Sequence, residues 1–281
     1  MTEDEALRLD ELISPLIENG QSIHHIMLNN KPSIMYSERS LYKYLDLGMF
    51  TARNINLPRK VRFNPTKSSH EHLKIDKKCR IGRTIDDYRK YIEEHPDTNT
   101  VEIDSVIGTT GGKCLLTIHF VRTELMLAFL RDANTSASVT NIFNALYEKL
   151  GHDLFMKLFP VILTDNGSEF SDPVSIETDQ DGVIRTRIFY CDPAAPYQKG
   201  AAENNHEFIR RVLPKGTSMN ELTQENIDLM MNHINSYKRE NLAGKSPCEV
   251  FGFLFSDDVL ELLGVKPISP NDIVLRPSLI K

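Results

Sequence analysis

Between residues 100 and 191 the apolar residues change spacing from a period of two to a helical period and back, which limits the fold more than any other feature of the chain. A Gly-Gly pair between the first two periodic segments is typical of a hairpin turn. Three strands, a helix and two more strands are predicted in this order: 100–107, 114–120, 125–130, 136–150, 159–163 and 188–191. This succession predicts an α/β fold with a mixed five-stranded sheet and helices.

Two aspartates lie on this predicted sheet at positions where a carboxylate needs compensation. Asp104 is in the middle of the first strand, on the face that it shares with Glu102 and Val106, and its burial is costly without a cation or hydrogen-bond donors. Asp165 follows the fourth strand on an Asn-Gly turn, at the strand end where α/β sheets place their chemistry. An Asp-Asn-Gly run is also ordinary turn chemistry, so Asp165 alone decides nothing.

A third carboxylate follows on a predicted helix over residues 198–211, where Ala202 and Ile209 lie on the inward stripe. Asp104, Asp165 and Glu203 are expected to converge on a divalent metal ion, because carboxylate oxygens are the ligands that hard cations prefer. Four further acidic residues compete for this role: Asp172, Glu177, Asp179 and Asp181. They lie in a polar insert over residues 171–187, which is predicted to be a solvated surface hairpin, and are therefore discounted.

Charge is distributed unevenly along the 281 residues, whose net charge is −6. Residues 20–90 contain 15 basic and 6 acidic residues, whereas residues 91–281 contain 17 basic and 27 acidic ones. The basic segment favours nucleic acid as a partner, and a metal would neutralise part of the acidic remainder. With an acidic N-terminus and no apolar run of about 18 residues, the chain is expected to be cytoplasmic and not in a membrane.

The first 50 residues show the pattern of a small all-α helix-turn-helix unit. Helices are predicted over residues 4–18, 22–28 and 38–45, with Ser37 as the N-cap of the third. In such a unit the second helix of the motif enters the major groove, which nominates Arg39, Ser40 and Lys43 for DNA contact. A plain helical hairpin would give the same pattern.

Cations follow in two further places. A basic arm contributes Arg53, Arg59, Lys60 and Arg62, which interleave with apolar residues as in a segment that lies along DNA. Near Glu203 lie Lys199, Arg210 and Lys215, which are expected to hold the DNA backbone. Positive charge near a helix C-terminus is the alternative explanation for the arginine.

Three segments together resemble the insertion sequence 30 family of bacterial DDE transposases: residues 163–170 (LTDNGSEF), 192–204 (DPAAPYQKGAAEN) and 209–216 (IRRVLPKG). The resemblance implies an RNase H-like catalytic domain whose acidic triad is Asp104, Asp165 and Glu203. It also implies two Mg²⁺ (or Mn²⁺) ions, binding of double-stranded DNA at the element's inverted repeats and at the target, strand cleavage and joining, and a homo-oligomer. The gap between Asp165 and Glu203 is longer than in the family, a Trp beside the first Asp is absent, and the N-terminal part is short.

The expected organisation has four parts: a helix-turn-helix region over 1–50, a basic arm with a helix over 51–95, the catalytic core over 96–255 and a C-terminal tail over 256–281. Transposition, that is DNA recombination and integration, is the function that this organisation favours. The alternatives are a DNA-binding regulator derived from a transposase and an RNase H-like nuclease that cuts without joining.

Overall fold

A computed structural model describes residues 2–58, 78–193 and 195–280, except for the side chains of residue 196 and residues 201–204. The predicted DNA contacts Arg59, Lys60 and Arg62 lie outside the described residues. Helices and strands follow in chain order as α1 (Glu3–Glu18), α2 (Ile23–Asn29), α3 (Glu38–Asp46), α4 (Ile85–Glu94), β1 (Thr100–Ile107), β2 (Cys114–Phe120), β3 (Met126–Arg131), α5 (Ser136–Leu150), α6 (His152–Leu158), β4 (Val161–Thr164), α7 (Pro173–Glu177), β5 (Arg187–Tyr190), α8 (Gly200–Val212), α9 (Gln224–Ser236), α10 (Pro247–Phe255) and α11 (Asp257–Leu262).

The five strands form one sheet in the order β3-β2-β1-β4-β5. β1 pairs antiparallel with β2, and β2 with β3, whereas β4 lies parallel to β1 and β5 parallel to β4. The predicted mixed five-stranded α/β fold is confirmed, and this strand order is the one expected of an RNase H-like domain. Strand β1 is central, so both of its edges are hydrogen-bonded to neighbouring strands.

The alternation predicted for β1 decides which core each residue joins. Val101 and Ile103 lie in a core with α5, α6, α10 and α11, whereas Val106 lies in a second core with α8 and α9. Glu102 is also buried, and Asp104 lies on the same face as Val106. Because β1 side chains alternate between the two faces, Asp104 points toward α8.

Helices α1, α2 and α3 pack around their own apolar cluster, which includes Ile13, Ile26 and Leu41, and are called the helical unit below. Ser37 caps α3 as predicted, since its hydroxyl accepts a hydrogen bond from the backbone N–H of Ser40. Pro15 does not divide α1, which continues to Glu18.

The insert over residues 171–187 differs from the predicted surface hairpin. Its first part forms the short helix α7, and only Thr178 and Ile184 make a β-bridge. Arg185 is 1% exposed and donates hydrogen bonds to the carbonyl of Ile176 and the amide oxygen of Asn144. The hairpin prediction was wrong at the start of the insert, which is helical, and near its end, where Arg185 is buried. Turn composition does not reveal a buried arginine whose donors are satisfied by carbonyl oxygens.

The C-terminal residues 265–280, called the C-terminal segment, connect the helical unit to the sheet domain. Ile273 and Leu275 are buried in the core that contains α8 and α9. The side-chain amide of Gln21 donates to the carbonyl of Ile273 at 2.9 Å, and the backbone N–H of Leu275 donates to the carbonyl of Asn19 at 2.8 Å. Within the described parts of the chain, no helix is long and apolar enough to cross a membrane.

Candidate active site

Asp104 and Asp165 are brought together by the pairing of two parallel strands. In the β1–β4 register Glu102 lies beside Leu163, and the same offset places Asp104 level with Asp165, just beyond β4. Asp165 Oδ1 accepts a hydrogen bond from the backbone N–H of Gly167 at 2.9 Å, which fixes the turn that follows the strand. Two residues 61 positions apart thus form an acid pair at one edge of the sheet.

Lys199 lies between these two carboxylates. Its Nζ is 3.3 Å from Asp104 Oδ2 and 3.6 Å from Asp165 Oδ2, and it donates a hydrogen bond to the carbonyl of Ile103 at 3.2 Å. The residue is 6% exposed, and its ammonium lies against the two carboxylates, so its predicted contact with a DNA backbone stays a prediction. The side chains of Asp104 and Asp165 are 23% and 45% exposed, and their two negative charges hold the buried ammonium at this position.

The charges of this cluster depend on one another. Burial raises the pKa of the Asp104 carboxyl, while the ammonium of Lys199 partly opposes that rise. Burial by itself lowers the pKa of Lys199, but Asp104 and Asp165 outweigh it, so the pKa of Lys199 is raised and the ammonium stays protonated. The site therefore contains a cation held by two carboxylates.

Glu203 lies in the first turn of α8, which starts at Gly200 directly after Lys199. Its backbone is placed at the same edge of the sheet as Lys199, but its side chain lies outside the described residues. The structure brings Asp104 and Asp165 together and leaves the third member of the predicted triad as an expectation. The described side chains contain no cluster of three or more His, Cys, Asp or Glu residues that could hold a metal ion.

His206, which the sequence analysis did not single out, faces the acid pair from the next turn of α8. Its Nδ1 is 3.9 Å from Asp104 Oδ2, and its Nε2 is 2.9 Å from the hydroxyl oxygen of Thr117. Burial, followed by the cations Lys199 and Arg210, lowers the pKa of His206 to about 4, so the imidazole is neutral near pH 7. The available signal was its spacing of three residues from Glu203, which places both on one helix face.

The acid pair fits a divalent cation by its donor set. Two carboxylate oxygens already converge on a single cationic group, and hard divalent ions prefer such oxygens. The neutral imidazole of His206 adds no positive charge to the position. The geometry can therefore hold a cation of higher charge than an ammonium.

The predicted DNA contacts of the helical unit lie on the outer side of α3. Arg39 and Lys43 are exposed and one helical turn apart, while Glu38 and Tyr42 face the sheet domain across a cleft of about 660 Å³. The hydroxyl of Ser40 is hydrogen-bonded with that of Ser37. Arg53 is also exposed.

The two predicted contacts after Glu203 differ in their surroundings. Lys215 is exposed. Arg210 is partly buried, and its Nη2 donates a hydrogen bond to the carbonyl of Ile107 at 3.2 Å, at the end of β1. Burial lowers the pKa of Arg210. The guanidinium is thus anchored beside the strand that carries Asp104.

Sequence comparison finds bacterial transposases. The probable transposase for insertion-like sequence element IS1161 of Streptococcus salivarius is 29% identical over 225 residues, 77% of this chain and 59% of that protein. The InsI transposase for insertion sequence element IS30A of Escherichia coli (strain K12) is 24% identical over 258 residues, 88% of this chain and 65% of that protein. The chain is similar to insertion sequence 30 type transposases. The resemblance given by the three sequence segments is thereby confirmed.

Further similarities of the chain are more limited. The transposase for insertion sequence element IS1086 of Cupriavidus metallidurans is 38% identical, but over 45% of this chain and 34% of that protein. No protein-family model matches the chain. Among solved structures, one chain of a simian T-cell lymphotropic virus intasome is similar at 17% identity and a TM-score of 0.40. The similarity covers 54% of this chain and 54% of the intasome chain. The chain spans 59% of the length of the IS1161 protein, so the activity of the whole relative does not transfer without a test.

Proposed function

We propose that the protein is a DNA transposase, which binds insertion-sequence ends and catalyses metal-dependent strand cleavage and strand transfer. The observation that carries the proposal is the convergence of Asp104, in the middle of β1, and Asp165, just beyond the carboxyl end of the parallel strand β4, on one cation position. The similarity to transposases supports the same activity. A structural ion pair alone would not require two carboxylates for a single ammonium.

Asp104, Asp165 and Glu203 are the residues that would hold Mg²⁺ or Mn²⁺, and the family resemblance implies two ions. Bound divalent ions would supply a water nucleophile at neutral pH and stabilise the leaving oxygen of the phosphodiester. The chain orients the ligands itself: the Ser105 N–H donates to Asp104 Oδ1 at 2.7 Å, as the Gly167 N–H does to Asp165. These hydrogen bonds leave the second oxygen of each carboxylate directed at the cation.

DNA is proposed to lie across the helical unit and the acid pair. Arg39, Ser40, Lys43 and Arg53 would contact the inverted repeat, while Arg210 and Lys215 would hold the backbone near the cut. The basic composition of residues 20–90 supports this placement, because neutralised phosphates supply most of the affinity for DNA. Joining of two ends requires two active sites, so a homo-oligomer is part of the proposal.

The division into a helix-turn-helix region (1–50), a basic arm (51–95), a catalytic core (96–255) and a C-terminal tail (256–281) stays a prediction. Hydrogen bonds such as that between Gln21 and Ile273 nevertheless join the first and the last of these parts.

The deciding experiment is cleavage and joining of labelled DNA ends from the flanking locus by the purified full chain with Mg²⁺ or Mn²⁺. Asp104→Asn, Asp165→Asn and Glu203→Gln are each expected to abolish cleavage and to leave DNA binding nearly unchanged, because they remove metal ligands and no basic residue. Glu207→Gln is the matched control, since Glu207 lies one helical turn from Glu203 on the exposed side of α8.

Two outcomes would contradict the proposal. Binding of DNA by the wild type with no cleavage in either metal would favour a DNA-binding regulator instead. Cleavage without joining would favour a nuclease. An inactive Glu207→Gln together with an active Glu203→Gln would leave the function intact and move the third ligand by one turn.

A further inference from the structure

The ammonium of Lys199 is enclosed by oxygen atoms of the proposed metal site. An ammonium has three N–H donors, and here three oxygens surround it: those of Asp104, Asp165 and the Ile103 carbonyl. The group is buried, donates a hydrogen bond to the Ile103 carbonyl and lies within ion-pair distance of both carboxylates. Such an arrangement holds the two carboxylates together against their mutual repulsion.

A divalent ion and this ammonium compete for the same oxygens. The ammonium lies 3.3 Å and 3.6 Å from the two carboxylate oxygens, whereas Mg²⁺ binds oxygen at about 2.1 Å. Both cations at one position would repel each other strongly at this depth, because burial reduces screening by solvent. Binding of one therefore requires departure of the other.

We propose that Lys199 is a built-in counter-ion of the acid pair, which a divalent metal ion displaces, and that the displaced ammonium then contacts a DNA phosphate. This proposal rests on the proposed function. It makes Lys199 a positioning residue that couples metal loading to DNA binding. By linkage, DNA must in turn favour the metal-bound state.

The position of Lys199 in the chain allows this movement. It ends a single 3-10 turn, Pro196–Lys199, immediately before α8, and Tyr197 in the same turn is 78% exposed. The next residue is Gly200, and a Cβ added there would meet no atom within 4 Å. A lysine side chain has a flexible four-carbon stem, so its ammonium can reach the nearby surface by rotation about side-chain bonds without displacing α8.

Chemical labelling of the wild-type full chain tests the displacement without DNA and without catalysis. The protein is treated briefly with an amine-acetylating reagent, with and without saturating Mg²⁺, and each lysine is quantified by mass spectrometry. Lys199 is expected to be protected in the absence of metal and to be modified several-fold faster with Mg²⁺. Lys113, whose ammonium lies 3.9 Å from Asp132, is the internal control and is expected to react equally in both samples.

A variant tests the second half of the proposal. Lys199→Met is expected to bind Mn²⁺ at least about tenfold more tightly in calorimetry, because the competing charge is gone. In Mg²⁺ its DNA affinity should depend less on salt, with a log–log slope smaller by about 0.9, the contribution of one phosphate contact. In EDTA, where the wild-type ammonium stays on the acid pair, the two slopes should agree. Lys113→Met is the matched control and should behave as the wild type.

The results separate this proposal from the proposed function. Metal binding by calorimetry with Lys199 still protected from acetylation would overturn the displacement, even if the protein cuts and joins DNA. An equal salt dependence of Lys199→Met and wild type in Mg²⁺ would overturn the phosphate contact. A wild type that binds no divalent ion would overturn the proposed function and this proposal with it. Should Lys199→Met fail to fold, the labelling of the wild type still decides.

Discussion

Replacement of His25 by Gln tests how the helical unit is held on the sheet domain. His25 is fully buried, and its ring stacks on Tyr237 with centroids 4.2 Å apart. Its Nδ1 accepts a hydrogen bond from the backbone N–H of Lys238 at 3.1 Å. Its Nε2 lies 3.3 Å from the carbonyl of Pro270, which can only accept, so Nε2 carries the hydrogen. Each nitrogen of the neutral ring thus has one hydrogen-bond partner, with Nδ1 as the acceptor and Nε2 as the donor.

Protonation of His25 would put a second N–H against the N–H of Lys238 and would charge a buried ring. Burial, the largest cause, lowers the pKa of His25 from 6.5 to about 4 in the folded protein. Between these two values the unfolded chain binds more protons than the folded one, so stability falls as the pH decreases through this window. Because one pKa unit corresponds to about 1.4 kcal/mol, the full loss from pH 7 to pH 4 is roughly 3 kcal/mol.

Urea denaturation of wild type and His25→Gln at several pH values between 7 and 4 measures this contribution. Two other histidines, His206 and His233, also have lowered pKa values, so the difference between the two proteins is the relevant quantity. The free energy of unfolding of the wild type is expected to fall by about 2 to 3 kcal/mol more than that of the variant. His24→Gln, a change at the partly exposed neighbour, should retain the full pH dependence. A difference between wild type and His25→Gln that does not vary with pH would refute the reasoning.

Three further predictions concern single side chains. Gln21→Ala should lower the free energy of unfolding by about 1 to 3 kcal/mol in urea, because carbonyl groups of the C-terminal segment lose a buried donor; an unchanged midpoint would contradict this. Phe251→Ala should cost about 3 to 5 kcal/mol by the same measurement, since the ring is fully buried against Phe120 at 5.3 Å. Arg210→Ala should weaken binding of end DNA in a gel-shift assay while Mg²⁺ binding in calorimetry stays near wild type, and equal DNA binding would remove Arg210 from the site.

The sheet could be predicted from the sequence because its signal is local. Strands β1 and β2 have the predicted bounds, and β3 and β5 differ by one residue at each end. Helix α6 was missed: it has seven residues, too few for a clear helical period, and Gly151 with φ of 74° separates it from α5. Its last turn runs to Leu158, so the strand predicted from Phe159 begins only at Val161.

The site could be predicted only where a residue's role follows from its own strand or turn. The convergence of Asp104 and Asp165 was expected from a carboxylate in the middle of one strand and a turn at the end of another, both readable in sequence. The position of Lys199 did not, because a lysine before a helix is equally compatible with a solvent-facing and a buried side chain. The choice depends on carboxylates 95 and 34 residues away, whose distance in space no periodicity encodes. The C-terminal segment was unpredicted for a related reason, since Gln21 binds its backbone carbonyls whatever their side chains.

Helix α8 joins the two halves of the proposed function physically. Its first turn contains Glu203, and His206 in the next turn faces Asp104. Farther along the helix, Phe208 packs on Tyr237 with ring centroids 5.4 Å apart, and the ring of His25 also stacks on Tyr237.

A continuous series of packed rings therefore leads from the helical unit to the helix that carries the acidic residue. Buried hydrogen bonds fix the same helix from a second direction, because Arg239 donates both to Asn205 of α8 and to Glu124 before β3. Packed cores resist small displacements, so a shift of the helical unit on binding DNA would have to move α8 or break these contacts. Recognition of DNA and the position of the proposed catalytic residues are for this reason expected to be coupled, and replacement of His25 can interrupt this coupling without a substitution in the site.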